Sequence, residues 1–265
     1  MGVRYGQAEK ESMGRNMAVK RVNAFVLKVD PVRENSQLVN IFSFEYGRLK
    51  TLLKAGRQSA ARRARSIEQL SEYEILIYFR ETSELHLISQ FSIIKDFQRI
   101  REMRYGLFHS IAIIEHILKL MPLNEPSEKI YNLLKKSLIA IEGGCDARVV
   151  YLLFRLYLLK HLGLLPQTEV CTSCSRKLSQ DAYYVPYKGG LVCAECFNGE
   201  ENGSIFMKSS MALVKLLRSL SSLSLNGGFE ARIGDELLRD ANRLLDFHIS
   251  YHLDVQLKST EFLRF

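Results

Sequence analysis

The sequence predicts an α+β chain, with a small all-β barrel at its N-terminal end and an α-helical domain after it. Three observations carry this. From Val19 to about Phe91 the apolar residues fall in short, β-branched and aromatic runs. After about Asp96 they recur with a period near 3.6. Four of the five cysteines lie between Cys171 and Cys196 as two Cys-x-x-Cys pairs, which implies a hairpin set into the helical part.

Residues 1–16 are polar and aperiodic and read as a disordered tail, or as the product of an upstream start codon with Met17 the functional start. Residues 17–95 hold five strand-length runs. "RVNAFVLKVD" stops at Pro31, "SQLVNIFSFEYG" at Gly47 and "RLKTLLKAG" at Gly56, and "YEILIYFR" and "ELHLISQF" follow a basic loop. Strands of this length separated by Gly, Pro and charged turns fit a small barrel. Residues 96–265 read as helical. "IREMRYGLFHSIAIIEHILKLM" stops before Pro122, and "EPSEKIYNLLKKSLIAIEGG" has Pro126 in its first turn and ends at Gly143-Gly144. "DARVVYLLFRLYLLKHLG" takes Asp146 as N-cap and Gly163 as C-cap. A cysteine insert at about 169–200 follows, then helices near Met207–Ser222 and Asp235–Leu257.

The four cysteines favour metal. No apolar leader opens the chain, so a reducing cytoplasm is expected, where paired cysteines bind metal more readily than they form disulfides. Cys171, Cys174, Cys193 and Cys196 flank an 18-residue insert, the spacing of one structural, four-thiolate Zn²⁺. Within it Tyr183–Val185 and Leu191–Val192 read as strands about a Lys188-Gly189-Gly190 turn. A dithiol redox motif needs one pair at a helix start, which is not this pattern. A closed four-cysteine site leaves no position for water or substrate, so no zinc catalysis is expected. A deaminase would require a H-x-E arrangement, which the cysteines lack. No phosphate-binding, nucleophile-elbow or metalloprotease motif occurs, and no catalytic residue is assigned. His248 and His252 share a helical face but lack a nameable third ligand, and Cys145 reads as a buried or loop residue.

The charge is local. The formal net charge is +8. Arg48, Lys50, Lys54, Arg57, Arg62, Arg63 and Arg65 are seven cations in 18 residues with no acid among them. Ser66–Glu84 then carries five glutamates against Arg80. A basic run on a small barrel, beside Phe42, Phe44, Tyr46, Tyr73, Tyr78 and Phe79, fits a groove that neutralises phosphates and stacks bases. The competing readings are a solvated charged face and aromatics that serve only as barrel core.

Read together, the segments resemble the bacterial recombination mediator family RecO, from about Val19 to Phe265. The residues that carry the resemblance are "FVLKVDPVRENSQLVNIFSFEYGRLKTLLKAGR", "LLKHLGLLP", "CTSC…YYVPYKGGLVCAEC" and "FHISYHLDVQLKSTEFL". The resemblance implies an N-terminal OB-fold and a helical domain carrying the zinc hairpin. It also implies binding of single- and double-stranded DNA, annealing of complementary strands, and association with RecR. A further implied partner is the C-terminal tail of single-stranded-DNA-binding protein, so that RecA can load onto covered strands. The expected setting is cytoplasmic and nucleoid-associated, without membrane, small-molecule substrate or covalent catalysis. The alternative is a zinc-clipped OB-fold factor that binds RNA or DNA without annealing. Two departures stand out. Ser175 occupies a position where the family often has Gly, and Leu153 one where many members have Arg. Docking of an acidic tail therefore falls to other cations, for which Arg148, Arg155 and Lys160 are the candidates.

Overall fold

A computed structural model describes residues 18–32, 36–54, 67–80, 83–199, 206–222, 229 and 231–263. The segment 1–16 lies outside them. The chain divides into two compact units, residues 1–97 with 117–131, and residues 98–116 with 132–265.

The first unit is a closed five-stranded barrel in the order β1-β2-β3-β5-β4. The strands are β1 (Ala18–Val32), β2 (Ser36–Ser43), β3 (Gly47–Lys54), β4 (Ser71–Phe79) and β5 (Leu85–Asp96). β1 closes the barrel because it is long enough to serve two neighbours. Ala18–Phe25 pair with β4 and Ala24–Val32 with β2, past an irregularity at Val26/Lys28. All pairings are antiparallel except β3 with β5, which is parallel. Val22, Ala24, Val26, Val39, Ile41, Leu49, Leu53, Tyr73, Ile75, Ile77 and Ile88 point inward and form the core, as period-two alternation requires.

Part of the barrel exterior is also buried. Tyr131 lies 5.1 Å from the Phe25 ring, 6.3 Å from Phe42 and 5.5 Å from Phe44, and its hydroxyl donates to Glu72 at 2.9 Å. The Asn124 N–H donates to the Arg48 carbonyl at 2.9 Å. Gly47 allows this approach. Its φ is +69°, and a Cβ there would lie 2.0 Å from the Glu125 carbonyl oxygen.

The second unit is helical, as expected, with boundaries that differ in detail. The stretch expected as one helix is split at Met103 into α1 (Gln98–Glu102) and α2 (Arg104–Leu120). α3 (Glu128–Glu142) starts after Pro126, which therefore lies before the helix and not in its first turn, and Ser127 caps it by accepting from the Ile130 N–H at 3.4 Å. α4 (Ala147–His161) is N-capped by Asp146, which accepts from the Arg148 N–H. Its C-cap is Leu162, with Gly163 one residue later at φ +71°. β6 (Ala182–Val185), β7 (Gly190–Cys193) and β8 (Met207–Ser209) make a small sheet in the order β7-β6-β8. α5 (Met211–Ser222) starts later than expected because β8 takes up the residues before it, and α6 (Asp235–Leu253) stops at Asp254, whose φ of +48° ends the helix.

Candidate metal centre and nucleic-acid interface

The Sγ atoms of Cys171, Cys174, Cys193 and Cys196 all lie within 4.8 Å of one another. Four sulfurs at about 2.3 Å from a tetrahedral zinc would stand about 3.8 Å apart. The Cys174–Cys193 separation of 3.9 Å matches this. The backbone builds the rest of the nest. N–H groups of Ser173 and Cys193 donate to the Cys171 sulfur at 3.4 Å, and the Arg176 guanidinium donates to Cys174 at 3.4 Å. That contact draws the Cys174 thiol down to about 6, toward the thiolate a metal requires. The residues therefore fit a four-thiolate zinc, which would hold the two turns together. Ser175 adopts the left-handed φ of +59° that a glycine would take more easily.

The hairpin is fixed by backbone and by one buried histidine. A Cβ on Gly190 would meet the Gln167 carbonyl oxygen at 2.4 Å, where the Leu191 N–H donates at 3.0 Å. On α6, His248 bridges the Leu164 carbonyl through Nε2 and the Tyr184 hydroxyl through Nδ1, both at 2.6 Å. A carbonyl only accepts, so Nε2 carries the proton and Tyr184 donates to Nδ1. Burial pushes His248 down to about 4, so it is neutral. His248 thus ties hairpin to helix, and the His252 ring lies beside it at 4.5 Å, tilted by 51°.

The barrel cations separate by environment. The burial alternation of β3 sets Gly47, Leu49, Thr51 and Leu53 inward and Arg48, Lys50, Leu52 and Lys54 outward. Lys54 is exposed, and Lys50 pairs with Glu84 at 3.2 Å. Arg48 leaves the phosphate-binding set. Its guanidinium donates to the Leu118 carbonyl at 2.9 Å, in the last turn of α2, and its Nε is buried. Arg57, Arg62, Arg63 and Arg65 lie outside the described residues. Of the expected stacking aromatics, Phe42 and Tyr73 are buried and Phe44 packs on Tyr131. Tyr46 and Phe79 stack at 4.8 Å, and Phe79 stacks on His86 at 4.4 Å, a half-buried column whose His86 faces inward opposite Thr51. His86 was not among the residues expected from sequence. The alternation of "ELHLISQF" carries the signal, since it places His86 in step with Ile88.

The proposed tail-binding cations are also sorted. Arg155 is excluded, because its side chain is fully buried and bonded to Asp246 at 2.6 Å and to Asn242 Oδ1 at 3.1 Å. Arg148 is engaged by Asp146 and Asp235, and Lys160 donates to the Ser221 carbonyl while remaining exposed. No helix among the described residues is long and apolar enough to cross a membrane.

Comparison with known proteins agrees with this architecture. Residues 17–97 match the model of the N-terminal part of recombination protein O, and residues 104–261 match that of its C-terminal part. The DNA repair protein RecO of Thermodesulfovibrio yellowstonii is 29% identical over 229 residues, covering 85% of this chain and 90% of that protein. Those of Pelotomaculum thermopropionicum and Caldicellulosiruptor saccharolyticus are each 26% identical, covering 93% and 92% of this chain and 94% and 98% of theirs. The chain therefore belongs to the recombination protein O (RecO) family.

Proposed function

We propose that the protein is a DNA repair and recombination mediator. It binds single- and double-stranded DNA, anneals complementary strands and, with RecR, helps load RecA onto strands covered by single-stranded-DNA-binding protein. It acts without covalent catalysis, and its zinc is structural. The observation that carries this reading is a family match spanning both the barrel and the helical part.

The physical basis is phosphate neutralisation without base reading. Lys50 and Lys54 on β3, with Arg57, Arg62, Arg63 and Arg65 next in sequence, would release counterions on binding. The Tyr46–Phe79–His86 column lies in the same barrel, with Tyr46 and Phe79 packed against its hydrophobic core. Annealing of complementary strands coated with cognate single-stranded-DNA-binding protein tests the proposal. The chain should accelerate annealing, and removing the coat protein's acidic tail should abolish the gain. Acceleration that is indifferent to the tail would defeat the mediator reading. DNA or RNA binding with no annealing would favour a simple OB-fold binding factor instead.

A further inference from the structure

We propose that α1 and the start of α2 form a second contact surface for single-stranded DNA, made by Arg99, Arg104, Tyr105 and Phe108. The inference rests on the DNA-binding reading above and adds a site in the other unit of the chain. It begins with the stretch "FQRIREMRYGLFH", which holds three arginines against one glutamate. Ile100 is the buried anchor of α1, and Arg99 beside it is exposed. On α2, Arg104, Tyr105 and Phe108 fall on one side of the helix by its 3.6-residue period, with Gly106 on the opposite side. Gly106 is the packed side, since a Cβ there would lie 3.2 Å from Ile141 Cγ2 on α3.

The open side is unusual for a helix start. Tyr105 is 58% exposed and Phe108 37% exposed. Among the described residues, neither Arg99 nor Arg104 is held in an ion pair. Partly exposed rings on the helix side that also carries the unpaired Arg104 mark a binding surface more than a solvated face. The chemistry favours a single strand. Exposed rings give stacking planes that accept any base, and the arginines neutralise the flanking phosphates. An acidic peptide with an apolar end would need a concave pocket, whereas the outer side of a helix is convex. A protein that anneals must hold two polyanions, and the β3 lysines on one unit with a cationic-aromatic surface on the other give one molecule two contacts.

The test uses the full chain, a labelled oligothymidylate and anisotropy over a range of salt. Arg99→Gln with Arg104→Gln should reduce the slope of log affinity against log salt by about 1.4, the value for two single-strand phosphate contacts. Tyr105→Ala should weaken binding at least about fivefold, at the low end for one stacked base. An oligonucleotide carrying 5-iododeoxyuridine should photo-crosslink within residues 98–108. Lys50→Gln with Lys54→Gln, measured alongside, reports the barrel contact separately. If the wild-type chain binds no oligonucleotide, the mediator reading and this site fall together. If it binds, and both face variants keep wild-type affinity and slope with no crosslink in 98–108, only this site is refuted. Face variants that keep DNA affinity but lose binding to an acidic peptide would make the surface a protein dock and overturn the proposal.

Discussion

Arg155 offers the sharpest discrimination between a partner-binding cation and a structural one. Its side chain is fully buried in α4, while its partner Asp246 on α6 is 39% exposed. Removing one member of a buried ion pair costs about 3–5 kcal/mol, because the other is left charged and dry. Here Asn242 continues to accept from the guanidinium at 3.1 Å, the Tyr151 ring stays 5.1 Å away, and water reaches the Asp246 side. These reduce the cost of Asp246→Ala to about 2–3 kcal/mol. Arg155→Met is milder. It removes a buried cation whose Nε has no hydrogen-bond partner, and Asp246 can rehydrate where it stands. We expect about 1 kcal/mol or less. The double variant should match Arg155→Met alone, so the cycle shows strong coupling. Urea unfolding at neutral pH reads the stabilities, with Tm expected to drop roughly 5–10 °C for Asp246→Ala. Additive single effects, or a larger loss for Arg155→Met than for Asp246→Ala, would refute the argument. So would loss of acidic-peptide binding by Arg155→Met at unchanged stability.

Three other outcomes follow from the same geometry. Cys193→Ser should lose zinc, measured by elemental analysis, and lower Tm while leaving the salt slope of DNA binding intact. A folded, metal-free variant with unchanged Tm would contradict the clip. Gly47→Ala places a Cβ 2.0 Å from a backbone oxygen at a left-handed φ, and should cost at least about 3 kcal/mol by chemical unfolding. Tolerance within experimental error would mean that the turn is free to move. The third outcome concerns acid stability. Burial pushes His116 down to about 3 and His248 to about 4, against about 6.5 unfolded. The unfolded chain therefore binds the protons first, so stability is full above pH 6.5 and falls as pH drops toward these values. Each histidine contributes up to about 1.4 kcal/mol per pH unit in that window. His116→Leu should flatten the dependence by up to one proton, and an unchanged slope would show that His116 titrates normally in the fold.

The sequence exposes whatever rests on local period and spacing. Alternation in "RLKTLLK" sets Leu49 and Leu53 inward, and the spacing of the two Cys-x-x-Cys pairs names the four sulfurs that come together. Turn chemistry that depends on a distant segment stays hidden. Gly47 reads as a hairpin residue, yet part of its necessity is the Glu125 carbonyl, far along the chain. β8 is hidden for the same reason. Three residues of "MKS" have no strand signature and pair only because Ala182–Tyr184 present a free edge to them. The helix expected to start at Met207 therefore waits until Met211.

Charge is where local reading fails most instructively. Arg48, Lys50 and Lys54 share one side of β3 and look equivalent in sequence. Only Arg48 lies where the carbonyls at the end of α2 lack helical partners, and Leu118 takes up its guanidinium. Arg155 follows the same logic with a clearer warning. Eleven of the fifteen residues of α4 are buried, and a helix that is apolar on every side lies inside a core. A cation in the buried stretch of such a helix must bring a counter-ion with it or fail to fold. Its carboxylate therefore has to come from another element, and it sits 91 residues away. The apolar run "VVYLLFRLYLL" around Arg155 thus argues for burial by itself. Arg99 and Arg104 lie at the polar start of their helices, without such an apolar envelope. There the same reasoning leaves the cations in water and open to a polyanion.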